Sequence, residues 1–279
     1  MNIRCWGSRG SFPACGPEFN RYGGDTACVE VRSDRGDTLI IDAGTGIRRL
    51  GDMLDTRLPE SIHMIFTHAH LDHIIGFPFF LPVYNKNTKL HIYGPQTAAA
   101  SFESALKDII RAPFFPVEFN KLKADITFHN IGEESFRIGS LAITPIKLNH
   151  PNGGCGVRIE ENGRSFVFLT DNELMDDNNA GKPPAYFESF CANADLLFHD
   201  AEYTNEEYPH YTAWGHSKFT DAVRLALSSG VKKLGLFHIN ARRTDDQMDE
   251  IVKNAQEIIR ERDSKMECFG VSCGFQCTL

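Results

Sequence analysis

The chain has no apolar run long enough to span a membrane. Its greasiest stretch, Phe77 to Val83, is short and is interrupted by Pro78 and Pro82. The opening MNIRCWGSRGSFPACG also lacks the apolar core of a signal peptide, so the expected setting is the cytoplasm, with no membrane partner. Eight cysteines are too dilute in 279 residues for a disulfide scaffold, and none form a C-x-x-C pair. The spacing of Cys268, Cys273 and Cys277 is irregular, which favours reduced thiols over a structural zinc. Positive charge is in deficit as well: 29 Lys+Arg face 37 Asp+Glu, a formal net charge of −8. That deficit argues against gathering long nucleic acids by general phosphate attraction. With no low-complexity tract, linker or solenoid repeat, residues 1–279 read as a single domain.

What recurs is a short apolar run, rich in β-branched and aromatic residues, that ends in Asp or His. TLIIDAG reaches Asp42, IHMIFTHAH runs into His68, LAITPIKLNH ends at His150, SFVFLTD at Asp171, DLLFHD at Asp200 and KLGLFH at His238. Such runs, flanked by Gly, Asn and Asp, read as strands buried inside a sheet. Helical patterns lie between them, at Gln96–Ile110, Ser217–Ser228 before Gly230, and Asp245–Arg262 with an acidic first turn and a basic last turn. The alternation predicts a layered α/β fold with polar residues gathered where strands stop.

The densest of these gatherings is Thr67-His68-Ala69-His70-Leu71-Asp72-His73. In an extended segment His68 and His70 point the same way, while Asp72 and His73 swing to a second position as a helix begins. A helix cap with solvated histidines accounts for one such residue, not for four. One tetrahedral ion that keeps a position open for water does not need all four either, so two adjacent ions fit better. Further ligands are expected at strand ends, where His150, Asp171 and His238 stand. Five imidazoles and two carboxylates favour Zn²⁺, with Mn²⁺ or Fe as competitors, over an oxygen cage for Mg²⁺ or Ca²⁺.

The order His68-x-His70-x-Asp72-His73, then a lone His, a lone Asp and a final His at strand ends, resembles the metallo-β-lactamase fold superfamily. The resemblance implies a four-layer αββα sandwich. It also implies that His68, His70 and His150 hold one metal and Asp72, His73 and His238 the other, with Asp171 bridging. Asp42 matches the early strand-end Asp that orients a ligating histidine. A metal pair of this kind lowers the pKa of a shared water to about 7 and performs hydrolysis. The oxygen-reducing di-iron branch carries Glu where this chain has His70, which counts against redox chemistry.

Later motifs narrow the chemistry. Phe198-His199-Asp200-Ala201-Glu202-Tyr203-Thr204 and Trp214-Gly215-His216-Ser217 resemble segments of ribonuclease Z and its phosphodiesterase relatives. There an acidic residue pairs with the histidine that faces the phosphate. The resemblance puts Asp72, Asp200 and His216 in the catalytic group. Asp200 is shorter than the usual Glu, so Asp200 or Glu202 partners His216. A cationic imidazole suits the charge that develops when a phosphodiester is cleaved. The opening Trp6–Pro13 and Arg21–Thr26 also resemble bacterial members of this branch, although Asp25 stands where Asn is usual. Arg9 and Ser11 are accordingly expected to contact substrate, beside His216. Ribonuclease Z inserts a tRNA-gripping arm between the lone His and the bridging Asp; from His150 to Asp171 there is room only for a turn and a hairpin. The expected substrate is therefore a small phosphodiester, with a 3′,5′-cyclic nucleotide as leading candidate and Asn172–Pro184 as a neighbouring loop. Hydrolysis of an ester, thioester or lactone, cleavage of RNA 3′ ends without the arm, and an inactive metal-stabilised binding module are the alternatives. The resemblance further implies a homodimer.

Overall fold

A computed structural model describes residues 1–95, 102–174 and 181–279. Two seven-stranded mixed sheets lie face to face. The first is ordered β14 (Gln276–Thr278), β1 (Asn2–Gly7), β2 (Cys28–Arg32), β3 (Thr38–Ile41), β4 (Ile62–Ile65), β5 (Lys89–Pro95), β6 (Asp125–Ile131). From β3 to β6 the pairing is parallel. The second is ordered β13 (Glu267–Gly270), β12 (Lys233–Phe237), β11 (Leu196–Asp200), β10 (Arg164–Leu169), β9 (Cys155–Glu161), β8 (Leu141–Lys147), β7 (Phe136–Ile138), parallel from β10 to β13.

Alternation along the strands explains the layers. In β10, Phe166 and Phe168 enter the core between the sheets, while Val167 and Leu169 face the helices outside. Both faces are buried, which is why the run reads as continuously apolar. The inter-sheet core also holds Leu39, Ile41, Val157, Ile159, Phe198 and Phe237. Helices α4 (Pro184–Cys191), α5 (Phe219–Ser228) and α6 (Asp245–Glu261) cover the second sheet. Helices α1 (Ile47–Asp55) and α3 (Phe102–Ile109), with Phe77, Phe80 and Val83, cover the first. This is the expected αββα sandwich.

The helix boundaries follow local chemistry. Thr244 caps α6 with a reciprocal bond pair to Gln247, and Asp245 and Asp246 occupy its first turn. The pattern at Gln96–Ile110 begins with residues outside those described, and α3 is seen from Phe102. The Asn172–Pro184 loop is likewise described only at 172–174 and 181–184. Among the described residues no helix is long and apolar enough to cross a membrane.

The parallel strands β3, β4, β10, β11 and β12 end at one rim of the sandwich, and Asp42, Thr67, Asp171, Asp200 and His238 stand at those ends. Asp42, Asp171 and His238 all turn there with left-handed φ values of 61°, 53° and 55°. Left-handed backbone is uncommon for non-glycine residues and concentrates at functional sites.

Candidate metal centre

Beyond β4 the chain stays extended through His70 and then enters the short helix α2 (Leu71–Ile74), with His70 at its N-cap. The extended part carries His68 and His70; the first turn carries Asp72 and His73, as the spacing predicts. Two groups of donor atoms converge, each within 4.8 Å: His68, His70, His150 and Asp171, and Asp72, His73, Asp171 and His238. Asp171 belongs to both. Its Oδ1 lies 3.2 Å from His73 Nε2 and 3.3 Å from His238 Nε2. Its Oδ2 lies 3.5 Å from His68 Nε2 and 3.9 Å from His150 Nε2. On the second group Asp72 Oδ2 adds contacts of 3.2 and 3.3 Å to His73 and His238.

Four of the five rings have Nδ1 taken from behind. His73 Nδ1 donates to Asp42 Oδ2 at 2.8 Å and His238 Nδ1 to Glu202 Oε2 at 2.8 Å. His150 Nδ1 donates to the Gly215 carbonyl, and His68 Nδ1 meets Thr67 Oγ1. Such bonds fix the ring orientations and direct Nε2 toward the centre. The fifth ring, His70, turns its Nδ1 to 3.0 Å from His150 Nε2. Burial lowers the pKa of His68 and of His150, the latter to about 4, so both stay neutral. The buried Nε2 atoms of His68 and His73 have no hydrogen-bond partner. Buried polar atoms rarely go unsatisfied. Nitrogens facing one another across shared carboxylates are instead what a pair of divalent cations requires, so the residues present fit the group.

The supporting shell settles an open choice. Asp200 Oδ2 is 2.7 Å from His216 Nδ1, whereas Glu202 Oε2 is 3.6 Å away and is engaged with His238. Asp200 therefore reaches His216 despite its shorter side chain. Burial opposes charge on His216, but the Asp200 carboxylate and its hydrogen bond outweigh burial and push the ring up to about 9. His216 stacks on His238 with centroids 4.7 Å apart and stands edge-on to His150 at 5.4 Å. It thus stands beside the candidate ligands with a carboxylate behind it that favours its protonated form.

The expected Arg9 contact is corrected. Arg9 is fully buried, and its guanidinium donates to the carbonyls of Gly23, Asn240 and Arg243 and pairs with Asp245 at 3.8 Å. No part of it is accessible to a substrate. Ser11 does reach the centre, but through its backbone: its N–H donates to Asp72 Oδ2 at 2.8 Å. Cys268, Cys273 and Cys277 are free thiols and join no donor group among the described residues.

Sequence reasoning considers Glu202 only as a partner for His216 and does not single out Glu173 at all. Glu202, two positions after Asp200 and so on the same face of an extended segment, orients His238 as Asp42 orients His73. Glu173, buried two residues after Asp171, accepts from Tyr208 Oη and from the Ala213 and Gly215 amides. It ties the strand end bearing Asp171 to the loop before His216.

A family model described as the Beta-lactamase superfamily domain matches residues 37–239. Ribonuclease Z of Thermoplasma acidophilum is 25% identical over 260 residues, covering 80% of this chain and 84% of that protein. The metallo-beta-lactamase fold protein YhfI from Bacillus subtilis superposes with a TM-score of 0.74 at 21% identity, covering 99% of this chain and 98% of that one. A diphosphatase from the PhnP family superposes with a TM-score of 0.67 at 18% identity, covering 100% and 97%. Sharing the family model over most of its length and the fold from end to end, the chain belongs to the metallo-β-lactamase fold superfamily and is a metal-dependent hydrolase.

Proposed function

We propose that the protein is a dinuclear-metal phosphodiesterase acting on a small phosphodiester, with a 3′,5′-cyclic nucleotide as the leading substrate. The observation that carries this reading is the Asp200–His216 pair, a buried imidazole held 2.7 Å from its carboxylate at the edge of the donor cluster. Phosphodiester cleavage drives negative charge onto non-bridging and leaving oxygens, which a fixed cation stabilises.

In this reading His68, His70 and His150 would hold one ion and Asp72, His73 and His238 the other, with Asp171 contributing to both. The donor set suits Zn²⁺, with Mn²⁺ or Fe as competitors. When bound, such a pair activates water and neutralises charge on the phosphoryl group. The chain supplies the rest. Asp42 and Glu202 keep the rings of His73 and His238 aimed inward. The Ser11 amide holds Asp72 in place. His216, its Nδ1 proton committed to Asp200, keeps its Nε2 proton for the departing oxygen. Glu173 braces the loop that carries His216 against the strand end that carries Asp171.

Cleavage of RNA 3′ ends is the second reading, favoured by the name of the curated relative. The β9–β10 hairpin between His150 and Asp171 and the net charge of −8 weigh against a long RNA partner. The test is a panel on zinc- or manganese-reconstituted protein: bis(p-nitrophenyl) phosphate, cyclic nucleotides, a precursor tRNA, a p-nitrophenyl ester and a homoserine lactone. Phosphodiester and cyclic-nucleotide turnover is expected. Ester or lactone turnover alone overturns the reading, precursor tRNA turnover alone favours the second one, and silence throughout favours a binding module.

A further inference from the structure

The loop between β11 and α5 displays a tryptophan on a tightly held backbone. Trp214 is 60% exposed, whereas the chain's other tryptophan, Trp6, is buried with its indole nitrogen donating to Glu30. On either side of Trp214 the amides of Ala213 and Gly215 donate to the two oxygens of the buried Glu173, at 2.9 and 3.0 Å. Both flanking residues have left-handed φ, 66° at Ala213 and 90° at Gly215. The loop also lies against the metal centre, since a Cβ at Gly215 would fall 2.1 Å from His150 Nδ1.

An aromatic row connects this indole to His216. Tyr203 stands edge-on to His216 at 6.0 Å and stacks on Tyr211 at 4.7 Å with an interplanar angle of 3°. Tyr211 in turn meets Trp214 edge-on at 5.3 Å. Ala213, the chain neighbour of Trp214, lines a cavity of about 570 Å³ together with His150, Pro151, Lys147 and Lys182. A large aromatic face is therefore presented to solvent at the rim of the centre, on a backbone that cannot easily withdraw it. A rigid aromatic of this kind loses little conformational freedom when a flat ligand settles on it.

We propose that Trp214 is the stacking platform for the nucleobase of a nucleotide phosphodiester whose phosphate sits at the metal centre. This rests on the phosphodiesterase reading and narrows its substrate to esters bearing a base. Every base offers a π face, so the platform gives affinity for nucleotides without choosing among bases.

The test compares two esters that release the same chromophore, thymidine 5′-(p-nitrophenyl phosphate) and methyl p-nitrophenyl phosphate, on metal-loaded wild type, Trp214→Ala and Trp214→Phe. Trp214→Ala is expected to raise KM for the thymidine ester roughly 5- to 150-fold. The methyl ester should change less than twofold, and Trp214→Phe should recover most of the loss. Equal effects on both esters, or none, overturn the proposal, as does a change in oligomeric state without a base-dependent effect. If wild type cleaves neither ester, the phosphodiesterase reading has failed by itself, and calorimetry decides the platform. AMP must then bind more tightly than ribose 5-phosphate, with only AMP weakened in Trp214→Ala; equal binding of the two ligands overturns it.

Discussion

Glu202 stands to His238 as Asp42 stands to His73: in each pair a buried carboxylate oxygen accepts from the ring's Nδ1 at 2.8 Å. One pair comes from the second sheet and the other from the first. The two carboxylates differ in duty, because Asp42 also accepts from the Thr67 amide and hydroxyl, while Glu202 also accepts from Asn240 Nδ2.

Glu202→Gln should therefore weaken retention of the ion beside His238 by about 10- to 100-fold, the usual cost of removing a partner behind a ligating histidine. Chelator competition followed by elemental analysis reads this directly. Metal retention equal to wild type contradicts the role.

Asp171→Ala removes the one side chain that, among the described residues, belongs to both donor groups. Loss of both ions and of turnover is expected, with the fold retained by circular dichroism. Two ions still bound per chain would refute the bridging assignment.

His216→Ala should leave two metals bound yet lower the rate by roughly 10²- to 10⁴-fold, most strongly for esters with poor leaving groups. A uniform loss across leaving groups would point to positioning instead of proton donation.

The pH profile gives an independent check. The His216 pKa is raised to about 9, so the protonated, useful form is present below that value and is lost as pH rises through it. Neighbouring divalent cations pull the value down, so the alkaline limb of kcat should fall at or below pH 9. Asp200→Asn, which removes the opposing charge, should move that limb to lower pH. An unmoved limb assigns it to another group.

Arg9→Ala tests whether the buried guanidinium serves the fold or the substrate. Removing a buried guanidinium takes a donor from the Gly23, Asn240 and Arg243 carbonyls, of which Asn240 keeps the Arg243 amide, and leaves Asp245 without this partner, a change expected to cost about 3–5 kcal/mol. A lowered Tm should accompany near-normal KM in whatever fraction stays folded. A raised KM at unchanged Tm would restore the substrate role.

These residues also show where a sequence stops being readable. The His68–His73 group was legible because strand and helix periodicity alone decide which neighbours share a direction. His150, Asp171 and His238 were legible as polar stops after apolar runs, and Asp42 as their counterpart in the first sheet. Arg9 was not legible: a Gly-flanked arginine looks the same whether it greets a phosphate or plugs a gap. What buries it are carbonyls at Asn240 and Arg243, more than two hundred residues away. The choice between Asp200 and Glu202 likewise depended on where β12 delivers His238, a distance that no local pattern encodes.

Each donor group draws from both sheets: His68, His70, Asp72 and His73 arrive from one, His150, Asp171 and His238 from the other. Ions seated there act as rivets across a seam. Neither sheet alone offers a full coordination sphere, and the second donor group is incomplete until His238 has been made and β12 has docked, so capture of that ion belongs to the closing stage of assembly. Chelation should loosen the two layers at that rim first, and at a metal concentration a thousandfold above Kd the rivets would add about 4 kcal/mol to the joined state.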